Sequence, residues 1–330
     1  MLLPPLDDLL RDAHVVRLPL RNRFRGVDAR EALLVEGPRG WTEFSPFVEY
    51  EADEAAAWLA AAVDFGWGDE VAPLRDRIEV NATLPAVDAD LVPTILDRYP
   101  GCRTVKVKVA ERGQTLADDV ARVRAARAWV GDRGRVRVDA NTNWSVDEAQ
   151  EALTALAPFA LEYAEQPCRT VPELAELRAR LRDAGLDLPI AADESVRRAA
   201  DPLAVARAGA ADLLVVKAQP LGGVATAVRL VRDARLPAVV SSAIDTSVGL
   251  AMGAHLAAAL PELAHACGLG TAAMLVADVT REPLLPVDGA IEVRRVEADV
   301  DLLREHAAPA DRRDWWVERT RACYGVLAAR

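Results

Sequence analysis

Five charged residues, each closing a short apolar run, recur along this chain at nearly constant spacing: Lys108, Asp139, Glu165, Asp193 and Lys217. The steps between them are 31, 26, 28 and 24 residues, the length of one strand plus a crossover helix and its loops. A parallel barrel would gather such strand ends into one ring, at the face where barrels of this kind keep their chemistry. Three clustered carboxylates repel one another unless a cation sits among them. A hard, oxygen-preferring ion such as magnesium, with manganese as a substitute, is the simplest partner for Asp139, Glu165 and Asp193. The lysines would then face the ion from opposite sides of a substrate. Lys106 and Lys108 are two apart and share a strand face, as do Asp139 and Asn141. Two close lysines repel, which lowers the pKa of at least one and prepares a neutral amine near neutral pH. This is equipment for removing the proton beside a carboxylate, with a metal stabilising the dianion left behind. Each charge taken singly reads equally well as a solvated strand end; five on one period argue against that.

The elements that must hold these residues are legible in order. Residues 13–20, 30–36 and 41–44 read as an antiparallel meander, followed by a helix over 54–65 with Ala55, Leu59, Ala62 and Val63 on one side. Between the first two strands, the basic segment 21–26 is either a mobile flap or a solvated hairpin loop. Residues 77–83 open the repeating part as one strand. Helices follow over 116–130 (Leu116, Val120, Val123 and Val130 on a common face), from the capping box Ser145–Glu148 to about 157, and from Thr170 to a stop at Gly185. Asp201-Pro202 signals a helix start, Gly222-Gly223 another. Residues 237–241 and 264–268 read as the seventh and eighth strands, with a helix over 248–259 between them. The Gly-x-Gly-x-x-Gly fingerprint of a doubly wound fold is missing. Residues 290–296 read as a strand, and Trp315 and Trp316 as packing residues of a tail that lies on the barrel or returns to the N-terminal unit. The expected organisation is a small α+β unit over 1–75, a barrel over 76–288 and a C-terminal segment over 289–330.

Composition sets the bounds. The chain has 330 residues, 51% of them hydrophobic, with a formal net charge of −11. A barrel takes about 250 residues, which leaves roughly 80 for a second unit. The acidic balance and the lack of Lys/Arg runs argue against a nucleic-acid partner. Cys102, Cys168, Cys267 and Cys323 lie far apart, without metal-ligand or Cys-x-x-Cys spacing. With no basic leader before an apolar core, the expectation is a cytoplasmic protein with reduced thiols. His255 and Pro261 interrupt the Ala-rich run near 251–260 before it could span a bilayer. His14, His255, His265 and His306 show no ligand spacing and read as structural. Composition sets no oligomeric state.

With Lys106-Val107-Lys108, Asp139-Ala140-Asn141, Glu165-Gln166-Pro167, Asp193-Glu194-Ser195 and Lys217 assembled, the sequence resembles the enolase superfamily over nearly its whole length. Within it, three stretches resemble the actinobacterial-type o-succinylbenzoate synthases: Phe24-Arg25-Gly26, the segment from Trp41 through Glu43-Phe44 to Phe47, and Ser241-Ser242-Ala243-Ile244-Asp245-Thr246-Ser247. The resemblance implies a modified TIM barrel, (β/α)7β, with an α+β capping domain built from the N-terminal region and the tail. It implies a small carboxylate substrate with a succinyl group. The reaction would be magnesium-dependent loss of water from 2-succinyl-6-hydroxy-2,4-cyclohexadiene-1-carboxylate, giving 2-succinylbenzoate on the route to menaquinone. Lys108 would be the base and then the acid, Lys217 the cation on the opposite face, Lys106 the tuner of Lys108. Asp139, Glu165 and Asp193 would hold the metal; Asn141, Ser241, Ser242, Phe24, Arg25 and Gly26 would contact substrate. Thr42, directly before Glu43-Phe44, stands where the resemblance leads to an expected glycine, a change expected to shift loop geometry only. Gly268-Leu269-Gly270-Thr271 lacks the acidic pair of dipeptide epimerases, which counts against that activity. N-succinylamino acid racemisation, alone or beside dehydration, is the nearest alternative; a noncatalytic binding barrel is the alternative of another class.

Overall fold

In a computed structural model, residues 3–24, 26–197 and 201–330 are described. Strands β1 (His14–Phe24), β2 (Val27–Gly37) and β3 (Gly40–Phe44) form an antiparallel sheet in that order. Strands β1 and β2 run further than the sequence suggests. Residues 21–24 complete β1, and Phe24 pairs with Val27. The alternation explains it: Leu20 and Phe24 are buried while Arg21 and Arg23 face solvent, the pattern of a half-buried strand. Residues 21–24 of the basic segment are therefore strand, and Gly26 sits at the turn of the hairpin. The helix Ala52–Trp67 packs on this sheet, and Ala55, Leu59, Ala62 and Val63 are all buried as expected.

The chain then enters a parallel barrel. Strand β4 (Arg77–Glu79) is followed by β5 (Ala82–Leu84), β6 (Thr104–Lys108), β7 (Arg135–Asp139), β8 (Leu161–Glu165), β9 (Ile190–Ala192), β10 (Leu213–Val216) and β11 (Ala238–Val240). Strands β5 to β11 hydrogen-bond in sequence order. Cys267 and Gly268 close the ring through parallel bridges to Val80 and Ser241. Helical crossovers separate each pair of neighbours, so the barrel is (β/α)7β, capped by the N-terminal sheet and helix. Residues 77–83 are not one strand: β4 pairs antiparallel with β12 (Ala290–Glu292), and the parallel ladder with β6 begins at Ala82. The tail strand is correspondingly shorter than 290–296. Alternation along 77–83 is the same whichever partner lies beside it, so the break is invisible locally.

Capping boxes start the helices Val146–Leu156 and Val171–Asp183 as read, and a third, Thr115–Asp118, starts Leu116–Val130. On Leu116–Val130, Val123 is buried and Val120 and Val130 pack against the core as expected, but Asp119, Arg122 and Ala126 are buried too, and Leu116 is half-exposed. Asp119 and Arg122 form an ion pair of 2.8 Å that also binds the end of β6. After Asp201-Pro202 the helix begins later, at Ala204, since Asp201 first accepts a bond from the Leu203 N–H. The tail helix Ala310–Ala328 returns to the cap. Trp316 is fully buried there and its indole N–H donates to Glu31 at 2.9 Å. Among the described residues, no helix is long and apolar enough to cross a membrane.

Candidate active site

Register alone assembles the ring. Lys108 pairs with Asp139, and Asp139 with Glu165, across three adjacent strands; in a parallel ladder, paired residues point the same way. Asp193 and Lys217 follow β9 and β10 directly. All are buried: Lys106, Lys108 and Lys217 are 7–8% exposed, and Asp139, Glu165 and Asp193 only 1–2%. Lys108 Nζ donates to Asp139 Oδ2 at 2.5 Å and to Asn141 Oδ1. Lys106 Nζ bridges Asp139 and Glu165, at 3.0 Å from each. Lys217 donates to Asp193, whose other oxygen accepts from Arg197 Nε at 3.0 Å.

One cavity collects most of the expected residues. Phe24, Lys106, Lys108, Asp139, Asn141, Asp193, Lys217, Ser241 and Ser242 line it, together with Thr83, Phe47, Ile244 and Thr271. Glu165 does not line it; it lies behind Lys106. The Phe24 ring centroid is 5.1 Å from Lys108 Nζ. Gly26 is exposed at the hairpin turn with φ +78° and does not line the cavity. Arg25 lies outside the described residues. Gly268 is required where the barrel closes, because a Cβ there would meet Ser241 Oγ at 2.5 Å. Thr42 is fully buried and donates to the Ala62 carbonyl at 2.9 Å, fastening β3 to the cap helix.

The electrostatics follow from burial and neighbours. Burial opposes the charge of Lys106, but the fields of Glu165 and Asp139 outweigh it and its pKa rises. The expected downward tuning therefore does not fall on Lys106; two carboxylates in contact outweigh one neighbouring ammonium. Burial moves Lys217 down, against the opposing pull of Asp193. Burial pushes Asp139 and Asp193 up, but Lys108 and Lys106 hold the first, and Lys217 and Arg197 the second, below the usual range. Glu165 rises to about 7, through burial and then the field of Asp139, with Asp193 adding to it. A carboxylate driven toward protonation despite a touching ammonium marks a donor set short of positive charge, which suits a divalent cation. Among the described residues no three His, Cys, Asp or Glu side chains form a preformed metal-holding group; the ring carboxylates are engaged by lysine and arginine instead.

Several supporting residues escaped the sequence reading. Arg122 Nη1 holds the Lys108 carbonyl at 2.8 Å. Buried Gln166 receives the N–H groups of Asp193 and Ser195 at 2.9 and 3.1 Å. Arg197 joins Asp193 and Glu194 to the Tyr50 hydroxyl of the cap at 2.7 Å. Ala110, Asn141, Thr142, Gln166 and Ile244, all just past barrel strands, have φ between +38° and +70°. Such backbone costs about 1–3 kcal/mol per residue and collects at functional sites.

The sequence matches the family models Enolase N-terminal domain-like over residues 15–66 and Enolase C-terminal domain-like over residues 94–297. It is 56% identical to the o-succinylbenzoate synthase of Mycolicibacterium smegmatis, covering 98% of each chain. With that of Mycobacterium marinum it shares 55% identity over 98% of this chain and 97% of the other. The chain belongs to the o-succinylbenzoate synthase family. Solved structures at much lower identity share its fold. N-succinyl Arg/Lys racemase from Bacillus cereus matches with a TM-score of 0.75 at 20% identity, covering 90% of this chain and 97% of that one. Muconate lactonizing enzyme from Pseudomonas putida matches at 0.72 and 20%, covering 90% and 98%. Between these proteins and the o-succinylbenzoate synthase family the barrel is common; at such identity the likeness concerns the fold.

Proposed function

We propose that this chain is an o-succinylbenzoate synthase, a hydro-lyase that dehydrates 2-succinyl-6-hydroxy-2,4-cyclohexadiene-1-carboxylate to 2-succinylbenzoate for menaquinone formation. The observation that carries the reading is the placement of Lys108 and Lys217 on different strands around one cavity, in a chain akin to these synthases from end to end. Lys108 takes the proton from the ring carbon that bears the carboxylate. The electron pair passes into the carboxylate as an enediolate. The bond to the ring hydroxyl then breaks, Lys108 returns its proton to the departing oxygen, and one water leaves as the ring becomes aromatic. Lys217 sets positive charge against the enediolate from the other wall; the growing negative charge favours its protonated form, against the effect of burial. Lys106 contacts the substrate carboxylate, and Asn141 fixes Lys108 Nζ.

Asp139, Glu165 and Asp193 would hold magnesium, which when bound supplies the charge that stabilises the dianion. Ser241 and Ser242 receive the succinyl arm, under Phe24. In this scheme the cap (1–75) and tail (289–330) cover a barrel (76–288) that holds the chemistry. The four cysteines are free and buried, which suits the reducing cytoplasm.

An ultraviolet assay with the diene generated in situ tests the reading. Turnover with magnesium and its loss in EDTA are expected; no turnover by folded, magnesium-loaded protein would refute it. Racemisation of N-succinylamino acids is a second reading, favoured by the same two lysines, and deuterium wash-in at the α-carbon would reveal it.

A further inference from the structure

The wall of the cavity formed by residues 241–244 is held from outside the barrel. Ile244 lines the cavity with φ +61°. A β-branched residue adopts that conformation only where its neighbours fix it. Both sides of the turn are gripped by the cap. Arg30 on β2 donates from Nε to the Ile244 carbonyl at 3.2 Å and from Nη2 to the Ser45 carbonyl at 2.6 Å. Glu43 on β3, fully buried, accepts on one oxygen from the Thr246 N–H at 3.1 Å, the Thr246 hydroxyl at 2.5 Å and the Gly249 N–H at 3.2 Å. Its other oxygen accepts from Ser45 Oγ at 2.5 Å. The fit leaves no slack: a Cβ on Gly249 would meet Glu43 Cδ at 2.7 Å.

We propose that Glu43 is a positioning residue for the reaction: from the cap it clamps the start of the helix Ser247–Ala259 and thereby sets the strained 241–244 wall against the succinyl arm of the substrate. The proposal rests on the synthase reading above. It makes the cap a determinant of affinity, through residues that touch no substrate. Removing the carboxylate strands four donors, two N–H groups and two hydroxyls, and the turn relaxes toward an unstrained φ. Glutamine preserves the arrangement, since its carbonyl oxygen faces the three donors of Thr246 and Gly249 and its amide can donate to the Ser45 hydroxyl.

The test measures the Kd for 2-succinylbenzoate by calorimetry in magnesium, and KM and kcat for the diene. Wild type is compared with Glu43→Ala, Glu43→Gln and Gly249→Ala. Kd and KM should rise roughly 10- to 100-fold in E43A and G249A, with kcat falling less, while E43Q stays within about threefold of wild type. A purely structural role would lower Tm and the active fraction but leave Kd and KM unchanged. G249A keeps the carboxylate and displaces it, so it carries the test if E43A does not fold. Unchanged Kd and KM in folded E43A or G249A would overturn the proposal alone. Wild-type protein that neither binds 2-succinylbenzoate nor turns over the diene would overturn the synthase reading and the proposal with it.

Discussion

At the barrel mouth, Asp139, Glu165 and Asp193 meet ammonium and guanidinium groups. At the joint between cap and barrel, Glu43 and Asp278 meet hydroxyls and backbone N–H groups, and Asp245 lies beside them. Both groups of acids are buried, and burial raises each pKa. At the mouth, the cations reverse the shift for Asp139 and Asp193. At the joint nothing reverses it: Asp245 and Asp278 remain raised, and Glu43 reaches about 7, with burial and then Asp245 as causes. Charged partners can be exchanged for a metal and an anionic substrate as turnover proceeds. Neutral donors are directional and fix geometry. One cluster is suited to moving charge, the other to holding shape.

The sharpest break in that contrast comes at Lys217. Lys217→Ala should lower kcat by about 10²–10³ while Tm changes little, because Asp193 retains Arg197. A kcat within a few-fold of wild type would move the charge-stabilising role elsewhere. Next comes Arg197, which ties a mouth carboxylate to the cap through Tyr50. Arg197→Met should weaken magnesium binding by about 10- to 100-fold, read by calorimetric titration. An unchanged magnesium affinity would show that Asp193 is oriented without it.

The smallest effect lies at the joint. The raised Glu43 pKa means the folded state keeps a proton that the unfolded chain releases. Its contribution to stability is full below the ordinary glutamate range and is lost as pH rises through about 7. Between pH of about 5 and 8, the Tm of Glu43→Gln should therefore fall less than that of wild type, by about 2–4 °C. Parallel Tm profiles would mean Glu43 is ionised throughout.

The mouth was the more legible of the two regions. Lys108, Asp139 and Glu165 each end a strand, Asp193 and Lys217 directly follow one, and a parallel ladder converts near-equal spacing into one ring. The joint follows no period: Glu43 and Thr246 are 203 residues apart, and Tyr50 and Arg197 are 147 apart. Such pairs exist only once the cap is docked, so no local pattern announces them. The same holds for Arg122, which reads as a surface residue until the β6 carbonyl it holds is in place. Even at the mouth, spacing could not say which lysine burial would tune; that depended on which carboxylates each one touches.

The most direct measurement is a single turnover of the in situ diene, followed by stopped flow, with wild type and Lys108→Arg in saturating magnesium. Arginine keeps the positive charge beside Asp139 but does not give up its proton near neutral pH. The account predicts a rate at least about 10³-fold slower, with magnesium affinity and Tm retained. A rate within tenfold of wild type would contradict Lys108 as the base, and with it the chemistry assigned to the ring.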